Sequence, residues 1–273
     1  MRGLIDCHVH TRLCGHATGS VSDCAAVARK RGLAGIAITE HLPLPAELDP
    51  DRTLSMATDM VDAYLSEIED ARYEFPELEM IAGIEADWLP DRVGDTRAAI
   101  GGLRRRSDGV RVVLGSVHFL SDWAFDDPNR VHEWEGRDVD AVWDRYVTEW
   151  CAAAESGLFD VMAHPDLPKK FGHRPSKDVD GLNARFAESA ARANLVIEVS
   201  TAGLRKPVGE LYPSAGLLRA FRAAGVRATL GSDAHQPEEV GYAFSQACGT
   251  LRSVGYEELH FPTAGGQMRS VQL

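Results

Sequence analysis

Cysteine is scarce. The 273 residues include five, Cys7, Cys14, Cys24, Cys151 and Cys248, an odd number with no C-x-x-C pair among them. A disulfide scaffold is therefore not expected, and reduced thiols in a cytoplasm are. Positive charge is also short: 29 Lys and Arg against 41 Asp and Glu leave a net charge of −12. That balance argues against a broad nucleic-acid footprint, although a local basic pocket can still hold a small anion. No apolar run is long enough to span a bilayer, so no membrane partner is expected. A cleavable leader is not expected either, because candidate metal ligands begin at His8 and cleavage would remove them. No internal repeat, low-complexity segment or domain boundary interrupts the chain. With 44% apolar residues it can bury one large core, so residues 1–273 read as a single domain.

What the sequence does have is alternation. Gly3–Val9, Gly35–Thr39, Glu79–Glu85, Arg111–Val117, Phe159–Ala163, Leu195–Val199 and Arg227–Gly231 are short, apolar and rich in Ile, Val and Leu, as strands buried on both faces should be. Helical patterns lie between them: Ser22–Arg31 closing on Gly32, about Met56–Glu74, Asp91–Arg106, Val139–Glu155, Leu182–Ala193, and Ser214–Ala224 closing on Gly225. This order predicts an α/β fold with a parallel sheet and right-handed crossovers. The loop Ser121–Asp138 reads as the longest irregular stretch and as a lid over the site.

Nine residues with metal-binding side chains sit at the ends of these runs: His8, His10, His16, His41, Glu85, His118, His164, Asp233 and His235. In a barrel of strand-helix units the C-terminal strand ends converge, which favours a closed or nearly closed barrel with one polynuclear metal site. Alternate strand residues share a side, so His8 and His10 can grip one ion while Val9 packs away. His41 follows the second strand, where it can join His16, and Glu40 reads as a partner that orients a ligand imidazole. Glu85 offers two oxygens and is the natural bridge between ions. His118 and His164 close the fourth and fifth strands, and Pro165 is expected to keep His164 extended. Asp233 and His235 repeat the two-residue spacing, with Pro237 placed to open the next helix. Taken singly, each histidine could be an ordinary core or loop residue and Glu85 a salt-bridge partner; their common position at strand ends is what points to ligation.

With these residues in place, the chain resembles the polymerase and histidinol phosphatase superfamily over residues from about 3 to 240. That resemblance implies a distorted, TIM-like (β/α)7 barrel holding two to three divalent transition-metal ions, zinc, manganese or iron. It places His8, His10, Glu85 and Asp233 on a first ion, Glu85, His118 and His164 on a second, and His16, His41 and His235 on a third. Ser200-Thr201-Ala202-Gly203-Leu204-Arg205-Lys206-Pro207, Tyr212-Pro213 and His164–Phe171 look like the monofunctional histidinol-phosphatase branch.

Clustered dications would acidify a bridging water and neutralise a phosphomonoester that an acidic protein otherwise repels. No serine or cysteine sits in a recognisable nucleophile motif, so direct displacement without a phosphoenzyme is expected. Glu85, Asp233 and His235 are read as catalytic, and Arg205 as a bidentate phosphate grip with Lys170 or Arg174 assisting. The alternative for Lys169, Lys170 and Arg174 is a surface basic cluster. Phe119, Trp123 and Phe171 are candidates for an aromatic wall against an imidazole, and Asp126 or Asp127 for meeting an ammonium group. The resemblance favours a phosphatase acting on a small phosphorylated metabolite, L-histidinol phosphate. A nucleotide or phosphodiester hydrolase, a catalytically silent metal- or metabolite-binding module, and an amidohydrolase are the alternatives.

Overall fold

Seven of the apolar runs fold as strands of one parallel sheet in a computed structural model that describes residues 3–273. They are β1 Ile5–Val9, β2 Gly35–Ile38, β3 Glu79–Asp87, β4 Val112–Ser116, β7 Val161–Met162, β8 Val196–Ser200 and β9 Arg227–Gly231. Two short strands, β5 Phe119–Leu120 and β6 Trp123–Ala124, form a hairpin of their own. The sheet order β1-β2-β3-β4-β7-β8-β9 follows the chain, so each crossover moves one strand onward. Closure between β9 and β1 comes from a single parallel bridge, Val9 to Ala234, in place of a ladder. The buried Asp6 carboxylate strengthens that seam by accepting from the backbone N–H of Ser232 (2.8 Å) and of Gly241 (2.7 Å). The result is a nearly closed barrel of seven parallel strands, as the ligands at the strand ends favour and the family resemblance implies.

The helices are α1 Val21–Arg31, α2 Val61–Glu74, α3 Val93–Arg104, α4 Val139–Glu155, α5 Val179–Arg192, α6 Ala215–Ala223 and α7 Phe244–Ser253. Their ends follow local chemistry. Ser20 and Asp23 cap the start of α1 reciprocally, and Gly32, with φ 68°, lets its N–H return to the carbonyls of Ala28 and Arg29. Asp138 caps α4, whose buried face of Trp143, Tyr146, Val147, Trp150, Ala153 and Ala154 has helical spacing and packs on the barrel.

Three expectations need correction. The segment Ser121–Asp138 is not an irregular lid: it contains the β5–β6 hairpin end and a 3-10 helix over Pro128–Trp134, and Trp123, Phe125 and Trp134 are buried edge-to-face. Aromatic burial in this stretch outweighs its turn-rich composition. The long stretch without helix or strand is 42–57, gathered on the buried Asp49 carboxylate, which accepts from the N–H groups of Thr53, Leu54 and Ser55. Pro237 opens only a three-residue 3-10 helix, Pro237–Glu239, and the next α-helix starts at Phe244. Beyond it lies the antiparallel hairpin of β10 Glu258–Pro262 and β11 Met268–Gln272. Among the described residues, no helix is long and apolar enough to cross a membrane.

Candidate metal centre

Strand ends deliver all nine candidate ligands to one cluster. Alternation on β1 turns His8 and His10 into it and sends Cys7 away, to within 3.2 Å of the Thr229 hydroxyl. At the centre is Glu85, fully buried near the end of β3. Its Oε1 lies 3.0 Å from His164 Nε2 and 3.7 Å from His118 Nε2; its Oε2 lies 3.1 Å from His8 Nε2 and 3.3 Å from both His10 Nε2 and His41 Nδ1. One carboxylate thus faces five imidazoles. Asp233 Oδ1 stands 3.8 and 3.6 Å from His8 and His10 Nε2, and His235 Nε2 stands 3.1 Å from His16 Nε2.

The rings are held from behind. His8 Nδ1 meets Glu198 at 2.9 Å, His118 Nδ1 meets Asp87 at 2.9 Å, His16 Nδ1 meets the Thr53 carbonyl at 3.0 Å, and His235 Nδ1 meets the Asp233 carbonyl at 3.1 Å. Fixing the Nδ1 proton in this way turns the Nε2 lone pair inward, the arrangement a ligand imidazole needs. Glu40 binds the Thr11 N–H at 2.7 Å and leaves its second oxygen 3.7 Å from His10 Nδ1, so it stands behind His10 as expected. Sequence reasoning did not assign Asp87 and Glu198 to the site. Asp87 carries a readable signal, since it is two residues beyond Glu85 on the same strand, and Glu198 is a lone carboxylate inside an apolar run.

Backbone strain marks the site. His164 (φ 25°) and Asp233 (φ 50°) both adopt left-handed backbone. The expected extension of His164 is therefore corrected: its N–H turns to donate to Glu198 Oε2 at 2.8 Å, and its carbonyl closes a turn with the Leu167 N–H.

The electrostatics of the cluster are those of a cation site. Burial opposes charging His10 and His118, yet Glu40 and Glu85 lift His10 to about 9, and Asp87 lifts His118 to about 10. Burial, reinforced by neighbouring histidines, pushes His41 well below its ordinary value and His235 down to about 3. Burial also works against the Glu85 charge, but His8 and His41 hold its carboxyl well below the usual range. Facing lone pairs on some rings and carboxylate-stabilised charge on others are both resolved by divalent cations. The donor set fits such ions. Four overlapping groups, His10-His41-His235, His8-His10-Asp233, His8-Glu85-His164 and His41-Asp87-His118, each bring ligand atoms within 4.8 Å of one another. The same holds for His10, Cys14 and Glu40, but burial pushes the Cys14 thiol up to about 12, and the thiol donates to the Thr11 carbonyl.

The basic residues separate. Arg205 lies beside the cluster: its Nη2 donates to the carbonyls of Ser232 (2.9 Å) and Asp233 (3.0 Å), and its Nε is 3.0 Å from Glu239 Oε1. Nε, though 3.0 Å from Glu239 Oε1, makes no hydrogen bond, and Nη1 is buried with no polar contact at all. Lys170 is tied to Asp126, with Nζ 2.9 Å from Oδ2. Burial works to raise the Asp126 carboxyl, and Lys170 together with His118 holds it below the usual range. Arg174 is not brought there: it is exposed, pairs with Glu210 at 2.8 Å, and lines a small cavity with Trp143, Leu182 and Phe186. Lys169 is buried between Asp166 (2.8 Å) and Glu210 (2.7 Å) and is no surface cation. Of the aromatic candidates, Trp123 is packed away under the Arg137 guanidinium, Phe119 is buried beside Leu44 and Ala124, and Phe171 is half-buried next to Lys170. Asp127 caps the 3-10 helix that follows it.

Comparison with known proteins adds a full-length likeness. The PHP domain family matches residues 6–202. A protein of Deinococcus radiodurans named "Probable histidinol-phosphatase" is 40% identical over 262 residues, covering 96% of this chain and 97% of the relative. The "Histidinol-phosphatase" of Bacillus subtilis is 26% identical over 260 residues, covering 88% and 96%. Among solved structures, histidinol phosphate phosphatase from Lactococcus lactis, complexed with zinc, L-histidinol and phosphate, superposes with a TM-score of 0.80 at 18% identity, over 98% of this chain and 100% of that one. At that identity the likeness is one of fold.

Proposed function

Because this chain belongs to the PHP domain family, we propose that it is a metal-dependent phosphomonoesterase that hydrolyses L-histidinol phosphate to L-histidinol and phosphate, in the cytoplasm. One observation carries the reading: the likeness to a relative bearing that name spans nearly the whole of both chains, and the complete ligand cluster falls inside it. Two to three divalent ions, held by His8, His10, Glu85 and Asp233, by Glu85, His118 and His164, and by His16, His41 and His235, would supply an acidified water and positive charge opposite a phosphate dianion.

The protein's own groups account for the rest. His16 is the exposed member of the cluster, and Asp233 and His235, with side chains 17% and 27% exposed, are partly open beside it, so the ester approaches from the side of these three. Arg205 is fixed next to Asp233 and turns Nη1 to a phosphoryl oxygen. A P–O bond forms to the oxygen of water as the ester P–O bond breaks. Asp233 takes the proton lost by the attacking water and passes it to the departing ester oxygen, so the alcohol leaves protonated and the phosphate keeps the new hydroxyl. Asp126, tied to Lys170, is the candidate carboxylate for the amine of the substrate.

Two outcomes are expected. Purified active protein should contain two to three equivalents of zinc, manganese or iron by elemental analysis, and chelation should abolish hydrolysis until metal is restored. One equivalent or none in an active sample defeats the trinuclear assignment. Under one metal loading, kcat/KM for L-histidinol phosphate should exceed that for generic monoesters, mononucleotides and phosphodiesters by at least about tenfold, or about 1.4 kcal/mol of differential transition-state binding. Preference for a nucleotide or diester removes the substrate and leaves phosphoester hydrolysis standing.

A further inference from the structure

Glu239 stands where an anion-binding site should least tolerate it. Its carboxylate lies 3.0 Å from Arg205 Nε, beside the one cation positioned to take a phosphate oxygen. By charge alone, a carboxylate there would repel a phosphate dianion and neutralise part of its partner. Its second oxygen accepts from the backbone N–H of His235 at 2.9 Å. One side chain therefore joins the guanidinium to the backbone of a metal-ligand residue.

The segment that carries it is pinned. Ser232 and Gly241 donate to Asp6, Thr18 N–H donates to the His235 carbonyl at 2.9 Å, and Arg31 donates to the Glu238 carbonyl at 2.7 Å. Gly19 permits this closeness, since a Cβ there would lie 2.4 Å from Pro237 Cγ. On the other side Arg205 is held by the Ser232 and Asp233 carbonyls, with its Cζ 5.3 Å from the centroid of the Tyr242 ring. The two hydrogen bonds, the ion pair and the ring contact of the guanidinium thus all come from residues 232–242, and Glu239 supplies the only formal charge among these contacts.

We propose that Glu239 is a positioning residue: it fixes Arg205 with Nη1 turned to the phosphoryl group and ties that placement to the backbone of His235. The gain in placement outweighs the electrostatic loss. A long cation free to rotate would lose side-chain entropy on each binding event, whereas a guanidinium already fixed on three sides loses little.

The inference rests on the phosphomonoesterase reading, and its test uses inorganic phosphate. Binding of phosphate to the metal-loaded protein is measured by titration calorimetry for wild type, Glu239→Ala and Glu239→Gln at equal, analysed metal content. KM and kcat are measured on the best monoester. Positioning predicts that Glu239→Ala binds phosphate at least about tenfold more weakly, with KM rising more than kcat falls. Glu239→Gln, which keeps an acceptor for the His235 N–H, should recover part of that loss and still bind more weakly than wild type. Mere removal of a nearby negative charge predicts the opposite sign. Equal or tighter phosphate binding by Glu239→Ala at wild-type metal content overturns the proposal; if that variant does not fold, the same result from Glu239→Gln does so. A wild-type protein that binds no phosphate and cleaves no monoester defeats the phosphatase reading, a result distinct from any difference between the variants.

Discussion

Glu85→Gln is expected to give a folded protein that retains at most one equivalent of metal and has kcat/KM lowered by about a thousandfold or more, roughly 4 kcal/mol. The substitution is nearly isosteric, so packing around the end of β3 survives. The negative charge does not. Both oxygens of Glu85 are within 3.7 Å of imidazole nitrogens from five residues, His8, His10, His41, His118 and His164. An amide in that position offers one oxygen and one NH2 group. The NH2 group would donate into a ring lone pair that the ion requires, and the buried centre would lose the anion that balances its cations. A lesion at the bridge should thus remove at least two ions together. Arg205→Ala provides the contrast: metal content should stay at the wild-type level while kcat/KM falls, because Arg205 touches the carbonyl of Asp233 and none of the ring nitrogens. Wild-type metal content in Glu85→Gln is the result that would remove Glu85 from the bridging role. Equal kcat/KM in wild type and Arg205→Ala would remove the phosphate grip.

The parts of the molecule legible in sequence are those where one physical constraint dominates. Strands buried on both faces leave room for few polar residues, so seven apolar runs could be read directly, and the polar residues at their ends stood out as ligands. β9 runs over Arg227–Gly231 and α4 over Val139–Glu155, as read, because glycine, a capping Asp and an unbroken apolar face mark their limits. β7 shows the opposite case. Only Val161 and Met162 pair within Phe159–Ala163, since the left-handed backbone at His164 turns the chain away to reach Glu198.

Elements beyond the site were missed for different reasons. The β5–β6 hairpin has two residues per strand and is held by the burial of Trp123, Phe125 and Trp134, a tertiary effect with no local period. The α7 helix and the β10–β11 hairpin lie after the last ligand, where no chemistry drew attention to an ordinary amphipathic pattern. Basic residues were the least legible. Lys169, Lys170 and Arg174 look alike in sequence, but their environments are set by carboxylates far along the chain: Glu210 for Lys169 and Arg174, and Asp126 for Lys170. Long-range charge pairing leaves no mark on spacing. For the same reason the roles of Glu198 and Glu239 emerge only when the strand ends are assembled.

Gly231→Ala should be the most damaging single-methyl addition near the site, lowering stability by about 3 kcal/mol or more and Tm by about 10 °C, with loss of bound metal. Gly231 ends β9, pairs with Ser200, and does not adopt a positive φ, so conformational freedom is not what it provides. Space is. A Cβ built there would lie 1.8 Å from Glu198 Oε1 and 2.7 Å from His8 Cβ. Glu198 has little room to yield, because one oxygen holds His8 Nδ1 at 2.9 Å and the other accepts the His164 N–H at 2.8 Å. Moving the carboxylate unfastens ligands on β1 and after β7 at once and leaves their buried donors unpaired, at about 1–3 kcal/mol each. Moving the β9 backbone instead opens the seam that depends on the Val9–Ala234 bridge and on Asp6 bonding to Ser232. Neither route is free, and both disturb the metal centre. Gly102→Ala is the control: it lies within α3 with nothing within 4 Å of the added Cβ, and helix propensity favours it by about 0.8–1.0 kcal/mol. Thermal unfolding and metal analysis of the two variants should therefore move in opposite directions or leave only Gly231→Ala impaired. Wild-type Tm and metal content in Gly231→Ala would show that Glu198 is not wedged between β9 and the two histidines.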